Sequence, residues 1–449
     1  MSTSLSHLQP GQRVVILGIA RSGMAAARFL KERGYQVVLS DSGPLKPEYQ
    51  NELAALQIEW ECNGHTSETL RQADLMVASP GIPLTAMPYT FARQHQIPVV
   101  SEIELASHFI QTPILAITGS NGKSTTVSLL QALLNQAGYR SAACGNLGTP
   151  LISYAEKKLD YLVLEVSSFQ LESTYSLKPQ IGILLNLYEN HLDRHGDMPS
   201  YFAAKARLFQ AQGPEDHAIL NAGSVWCQLL APQLKAQVHW FEPQAEALIY
   251  QGQHLMDLSE IKLPGAHNLE NIQAVMQAAE ILNLPATALR QTFSQFSGIP
   301  HRLEGLGSWA GRILINDSKS TNYLATQKAL ESFTQPVVLI AGGQDKGGDF
   351  GPLANCITAR ARHVVLMGES GPLFQHQLQQ NGYNQVSLVQ GMQAALAQAC
   401  AVSQPGDVIL LSPATASYDA YQNFEERGDD FRKHVAAWVS ERPEDHAQS

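Results

Sequence analysis

Short apolar runs rich in Val, Ile and Leu alternate along the chain with longer amphipathic stretches, the pattern of parallel strands buried under helices. In the first block, an apolar run at 14–17 turns at Gly18 and enters a helix near Ser22 that Gly34 closes. Runs at 37–39, 75–78 and 99–100 add three strands; the first ends at Asp41, the second at Ser79-Pro80-Gly81, and a helix over 102–109 follows the third. This order predicts a Rossmann-like unit over 1–110. In the second block, 111–298, a buried strand at 114–118 feeds the loop Gly119-Ser120-Asn121-Gly122-Lys123-Ser124 and a helix stopped by Gly138. Its strands at 161–166 and 181–186 both end in polar residues, at the sheet edge where open α/β sheets bind ligands. The third block, 299–449, opens at the turn Gly298-Ile299-Pro300 and carries strands at 313–316, 337–341, 364–367 and 408–411. The predicted fold class is α/β with three domains: a Rossmann-like N-terminal domain, a central P-loop ATPase-type domain with a mostly parallel sheet, and a C-terminal Rossmann-like domain.

The length of 449 residues agrees with three domains, because it exceeds what one hydrophobic core organises. A formal charge of −10 without any basic run excludes a broad nucleic-acid surface, so an anionic substrate has to be held by a few placed cations and backbone amides. The five cysteines are scattered and lack CxxC spacing, which predicts buried free thiols rather than a metal or redox pair. The N-terminal stretch has no apolar core of signal-peptide length and no run reaches the ~18 apolar residues of a membrane span; a cytoplasmic protein with no membrane partner is expected.

The sharpest chemical signal is Thr118-Gly119-Ser120-Asn121-Gly122-Lys123-Ser124-Thr125 between a strand and a helix. Glycines let successive N–H groups wrap phosphates, the helix N-terminus adds positive potential, Lys123 reaches the terminal phosphates and Ser124 can bind magnesium. The general phosphate-loop pattern has a glycine where this chain has Ile117. A plain structural turn is the alternative, and Gly-Lys-Ser in a strand–loop–helix context weighs against it. Nucleotide chemistry also needs metal ligands at the same sheet edge. Glu165 and His191 each follow a strand of this block and stand where such ligands belong, although either alone reads as an exposed acid or a capping histidine.

Eight ordered segments resemble the Mur ligase family, with folylpolyglutamate synthetase more distant: TGSNGKST at 118–125, EVSSFQLE at 165–172, NHLDRH at 190–195, AAKARLF at 203–209, GAHNLEN at 265–271, PHRLE at 300–304, NDSKSTN at 316–322 and SYDAYQNFEERG at 417–428. The resemblance spans essentially the whole chain and implies ATP-dependent amide formation in peptidoglycan precursor synthesis. Phe169-Gln170 and the segment 417–424 are similar to the branch that adds D-glutamate to UDP-N-acetylmuramoyl-L-alanine, acting as a monomer. It implies roles residue by residue. Gly119, Ser120, Asn121, Gly122, Lys123, Ser124, Thr125, Asn268, Asn271, Arg302 and Asp317 would hold ATP. Ser124, Glu165, His191 and Lys205 would hold magnesium, Lys205 as a carbamate formed from CO2, and Lys123, His191, Lys205 and Lys319 would serve catalysis. Ile19, Ala20, Asp41, Ser79, Pro80, Gly81 and Asn146 would line the UDP-substrate site, and Lys319, Thr321, Lys346, Ser417 and Phe424 the D-glutamate site. Tyr418 and Ser42-Gly43 depart from the family pattern, which expects an aliphatic residue and a basic residue there.

Other readings stay open on the residues alone. Gly18, Gly23 and Asp41 loosely follow a dinucleotide fingerprint that lacks its middle glycine, which would suit a nicotinamide-dependent oxidoreductase. Another amide ligase of the superfamily, or a nucleotide-switched binding protein, would share the phosphate loop. Three blocks joined by short turns also predict domain closure around the substrates.

Overall fold

The computed structural model describes residues 5, 8–146, 148–242, 247–263, 266–345 and 347–442. The chain divides into two compact units, Met1–Phe296 and Ser297–Ser449.

The first unit contains two parallel sheets. The N-terminal sheet is built from β1 (Arg13–Leu17), β2 (Gln36–Ser40), β3 (Glu59–Glu61), β4 (Leu75–Ala78) and β5 (Val99–Ser101), in the order β3-β2-β1-β4-β5. Chain order reverses between β1 and β4, the crevice where such sheets bind ligands. Gly18 ends β1 at φ +100°, and a Cβ there would stand 2.6 Å from Ser79 Oγ, so only glycine lets the β1 and β4 turns close on each other.

The central sheet comprises β6 (Ile114–Thr118), β7 (Ser141–Gly145), β8 (Tyr161–Glu165), β9 (Ile181–Leu184), β10 (His217–Asn221) and β11 (Gln237–Phe241), in the order β11-β10-β9-β6-β8-β7. All five residues of β6 are buried, as a strand covered on both faces requires. A separate antiparallel hairpin pairs β12 (Ala247–Tyr250) with β13 (Gln253–Asp257). The two sheets of this unit share one continuous core, in which Val14 and Ile16 belong to the same cluster as Ala116 and Leu164. The helix Glu102–Phe109 links them: Glu102 Oε1 accepts from Ile152 N at 2.7 Å, and Glu104 Oε2 accepts from Tyr175 N at 2.6 Å and Ser176 N at 2.8 Å.

The second unit is a mixed sheet of β14 (Glu304–Trp309), β15 (Arg312–Asn316), β16 (Val337–Ala341), β17 (Ala361–Leu366), β18 (Val386–Leu388) and β19 (Val408–Leu411), in the order β14-β15-β19-β16-β17-β18. Only the β14–β15 pair is antiparallel.

The strands expected from uninterrupted apolar runs occur within a few residues of their predicted positions. Sequence reading missed β3, β7, β10, β11, the β12–β13 hairpin, β14 and β18. Most carry polar or half-exposed residues, such as Glu59-Trp60-Glu61 in β3, so burial leaves little periodic mark on them. The thiols also need correction: Cys144, Cys227 and Cys400 are buried, whereas Cys62 and Cys356 are half-buried, and all five are free. Among the described residues no helix is long and apolar enough to cross a membrane.

Candidate active site

The loop after β6 opens into the helix Lys123–Gln136. Gly119 at φ +158° and Gly122 at φ +81° turn its backbone, and a Cβ on Gly122 would meet Asn271 Oδ1 at 2.2 Å. The loop is held from below. Asn121 N donates to Asn186 Oδ1 at 2.9 Å, and Ser120 Oγ lies 3.1 Å from Tyr188 O and 3.2 Å from the Tyr201 hydroxyl. Lys123 Nζ donates to the carbonyls of Gly119 at 2.8 Å and Ser120 at 2.9 Å, curling over its own loop where phosphate oxygens can replace those carbonyls. Ser124 is buried at the start of the helix and Thr125 follows it half-buried. Asn271 Nδ2 donates to Asn268 Oδ1 at 3.1 Å, while its Oδ1 accepts from Thr126 Oγ1 at 3.1 Å. Asn271 thus stands against the phosphate loop, with Asn268 bonded to it.

Glu165, the last residue of β8, is 2% exposed. Its Oε1 accepts from Asn146 Nδ2 at 2.6 Å, and its Oε2 is buried with no hydrogen-bond partner. A buried carboxylate oxygen left unpartnered is costly unless a cation meets it. Lys205, on the helix Met198–Ala206, is 1% exposed and donates to Gly119 O at 2.9 Å and Thr118 Oγ1 at 3.3 Å. Burial, and then the nearby Lys123 charge, push its amine well below the ordinary lysine range, with Glu165 opposing. His191 takes a left-handed backbone at φ +55°, with its ring 4.8 Å from Phe169 and 6.4 Å from Tyr201. Among the described residues no group of three or more His, Cys, Asp and Glu side chains converges as a metal site.

At the β1/β4 crevice, Asp41 is fixed by two amides: Ile19 N donates to Oδ2 at 2.6 Å and Gly43 N to Oδ1 at 2.8 Å. Ser79 N donates to Leu17 O at 2.9 Å, and Ser79 Oγ is buried without a partner. Ala20 and Gly81 are exposed beside them, and Pro80 is half-buried. Arg194 joins this crevice to the central sheet. Its guanidinium donates to Pro80 O at 2.8 Å and Ile82 O at 3.0 Å, pairs with Glu172 at 2.6 Å, and lies 4.1 Å over the Phe169 ring that packs on His191.

In the second unit, Asp317 follows β15. It accepts from Leu303 N at 3.1 Å and Ser412 Oγ at 2.8 Å, and burial pushes its carboxyl up to about 6. Arg302 lies between His301 at φ +62° and Leu303 at φ +43°, a strained turn pinned by Glu304 Oε2 on His301 N at 2.9 Å. Lys319 Nζ lies 5.8 Å from the Phe424 ring centroid, Thr321 is half-buried, and Ser417 is 2% exposed. Lys346 lies outside the described residues.

Models of three protein families cover most of the chain: the MurD-like N-terminal domain over 12–101, the Mur ligase middle domain over 117–279 and the Mur ligase glutamate ligase domain over 301–415. A UDP-N-acetylmuramoylalanine–D-glutamate ligase from Pelotomaculum thermopropionicum is 40% identical over 94% of this chain and 97% of its own. The chain belongs to the Mur ligase family. A ligase of the same name from Geobacillus kaustophilus is 40% identical over 94% of this chain and 96% of its own. In fold, this Mur ligase is similar to a UDP-N-acetylmuramate–alanine ligase from Thermotoga maritima, at TM-score 0.52 and 17% identity over 95% of this chain and 99% of that one.

The Mur ligase structure thus gathers Lys123, Ser124, Glu165, His191 and Lys205 around one loop, and Ile19, Asp41 and Ser79 around one crevice. Asn146 is tied to Glu165. The sequence reading did not single out Asn186, Tyr201, Glu172, Arg194 or Arg427 as site residues. Asn186, Tyr201 and Arg427 reach their partners across 65, 81 and 109 positions, and no local pattern carries that information. Glu172, Arg194 and Arg427 did lie inside the family segments quoted above.

Proposed function

We propose that this Mur ligase uses ATP to join D-glutamate to the carboxylate of UDP-N-acetylmuramoyl-L-alanine through an acyl phosphate. The observation that carries the chemistry is the phosphate loop with Lys123 and Ser124 beside a buried glutamate, Glu165, whose Oε2 has no partner. Relatives named for this reaction, about 40% identical over nearly the whole chain, support the choice of substrates, and a Mur ligase solved in complex with ADP, from Thermotoga maritima, supports ATP as the donor. Dependence on ATP and a UDP-linked precursor supports a cytoplasmic reaction.

The L-alanyl carboxylate oxygen attacks the γ-phosphorus and ADP leaves. The neutral D-glutamate amine then attacks the acyl carbon, loses a proton, and inorganic phosphate departs as the amide forms. Lys123 and the loop amides hold the transferred phosphoryl group and spread its developing charge. Asn268, Asn271, Arg302 and Asp317 hold the rest of the nucleotide. Ile19, Ala20, Asp41, the 79–81 turn and Asn146 hold the UDP-sugar, and Lys319, Thr321, Lys346, Ser417 and Phe424 hold the amino acid.

Magnesium fits the donor set Ser124, Glu165, His191 and carbamylated Lys205, where it would neutralise phosphate charge. Burial pushes the Lys205 amine well below the ordinary lysine range, which favours the neutral form that can add to CO2 and lose a proton, turning a repelling cation into an anionic oxygen donor. Stripping CO2 from wild type should then lower turnover and added bicarbonate restore it, whereas Lys205→Ala should lose roughly 10²-fold or more and not respond to bicarbonate. Turnover unaffected by the substitution and by CO2 would remove the carbamate.

A further inference from the structure

Arg427, on the helix Phe424–Glu441, is 1% exposed, and its guanidinium donates to uncharged oxygens. Nε donates to Ser318 Oγ at 3.0 Å, Nη2 to Ser318 O at 2.9 Å and Thr415 O at 3.1 Å, and Nη1 to Ala416 O at 3.2 Å. The relay continues, since Ser318 Oγ donates to Phe424 O at 2.8 Å. The exposed carboxylate of Asp419 favours the charged form through space. Burial lowers the guanidinium to about 10, which still leaves it charged at neutral pH.

The contacts are concentrated on segments that the amino-acid site uses. Ser318 precedes Lys319, Ala416 precedes Ser417, and Phe424 is reached through Ser318. The Gly342-Gly343 turn joins the same knot: Gln344 N donates to Ala416 O at 2.9 Å, and a Cβ on Gly343 would stand 2.3 Å from that oxygen and 3.1 Å from Arg427 Nη1. Burial outweighs the support of these dipoles and of the Asp419 carboxylate, so part of the desolvation cost of this cation is left standing. An arriving anion can offset it.

We propose that Arg427 is a positioning and specificity-determining residue for the amino-acid substrate: its fork sets the Lys319, Ser417 and Phe424 segments, and its incompletely compensated charge favours a substrate with two carboxylates. The inference rests on the proposed D-glutamate-adding reaction. Its test compares kcat and KM for D-glutamate and for D-glutamine, the isostere with a neutral side chain, in wild type, Arg427→Gln and Arg427→Lys.

Arg427→Gln should lower the preference for D-glutamate over D-glutamine by about tenfold or more, through KM for D-glutamate, while KM for ATP and the UDP-precursor stays within about twofold. Arg427→Lys keeps the charge but not the fork, so it should hold the preference within about threefold of wild type while kcat falls. Equal losses for both amino acids, a rise in all three KM values, or a preference in Arg427→Lys as poor as in Arg427→Gln would overturn the proposal. If thermal unfolding shows that Arg427→Gln does not fold, Arg427→Lys decides alone, and a collapsed preference there overturns it. Wild type that uses neither amino acid would instead refute the reaction on which this rests.

Discussion

Burial acts strongly on Glu102, which is 4% exposed, accepts from Ile152 N at 2.7 Å and is pushed from 4.5 up to about 7. The folded state therefore holds this proton more tightly than the unfolded chain. Its stabilising effect is complete below pH 4.5 and is lost as pH rises to about 7. Glu102→Gln keeps an acceptor for Ile152 N and removes the ionisation. It should unfold at higher denaturant than wild type at about pH 8, by roughly 1–3 kcal/mol, and the gap should close towards about pH 4.5. Parallel unfolding curves for the two proteins across that range would contradict the assignment. At this scale the contiguous loop residues were legible, because Lys123 and Ser124 act beside the glycines that shape their loop. Asn186 and Tyr201 were not, because they support that loop from the segment after β9 and from the helix Met198–Ala206.

Among the elements, the short helix Leu192–His195 matters through Arg194. A planar guanidinium satisfies Pro80 O, Ile82 O and both Glu172 oxygens at once while covering Phe169; an ammonium cannot. Arg194→Lys should therefore loosen the 79–82 turn and raise KM for the UDP-precursor about tenfold, with KM for D-glutamate changed less than about twofold. Steady-state kinetics with each substrate varied checks this, and unchanged KM for the precursor would refute the tie. Element legibility followed burial. Strands such as β6 and β16, buried on both faces, are continuous apolar runs in the sequence, whereas β3 and β18 at sheet edges are short and partly polar.

For the molecule as a whole, the alternation of apolar runs and helices was enough to set the α/β class, and the family segments were enough to set the order of the three domains. Strand order was not readable, because which strands neighbour one another depends on crossovers rather than on local pattern. The central claim is that the phosphate loop after β6 serves a reaction in which the terminal phosphate of ATP activates a carboxylate for amide formation. The most direct measurement incubates the full chain with ATP, magnesium, UDP-N-acetylmuramoyl-L-alanine and D-glutamate, follows phosphate release, and weighs the product by mass spectrometry. The account predicts one phosphate released per new amide, with D-glutamate far preferred over L-glutamate and L-alanine. No phosphate release and no product heavier by one glutamate residue would contradict it.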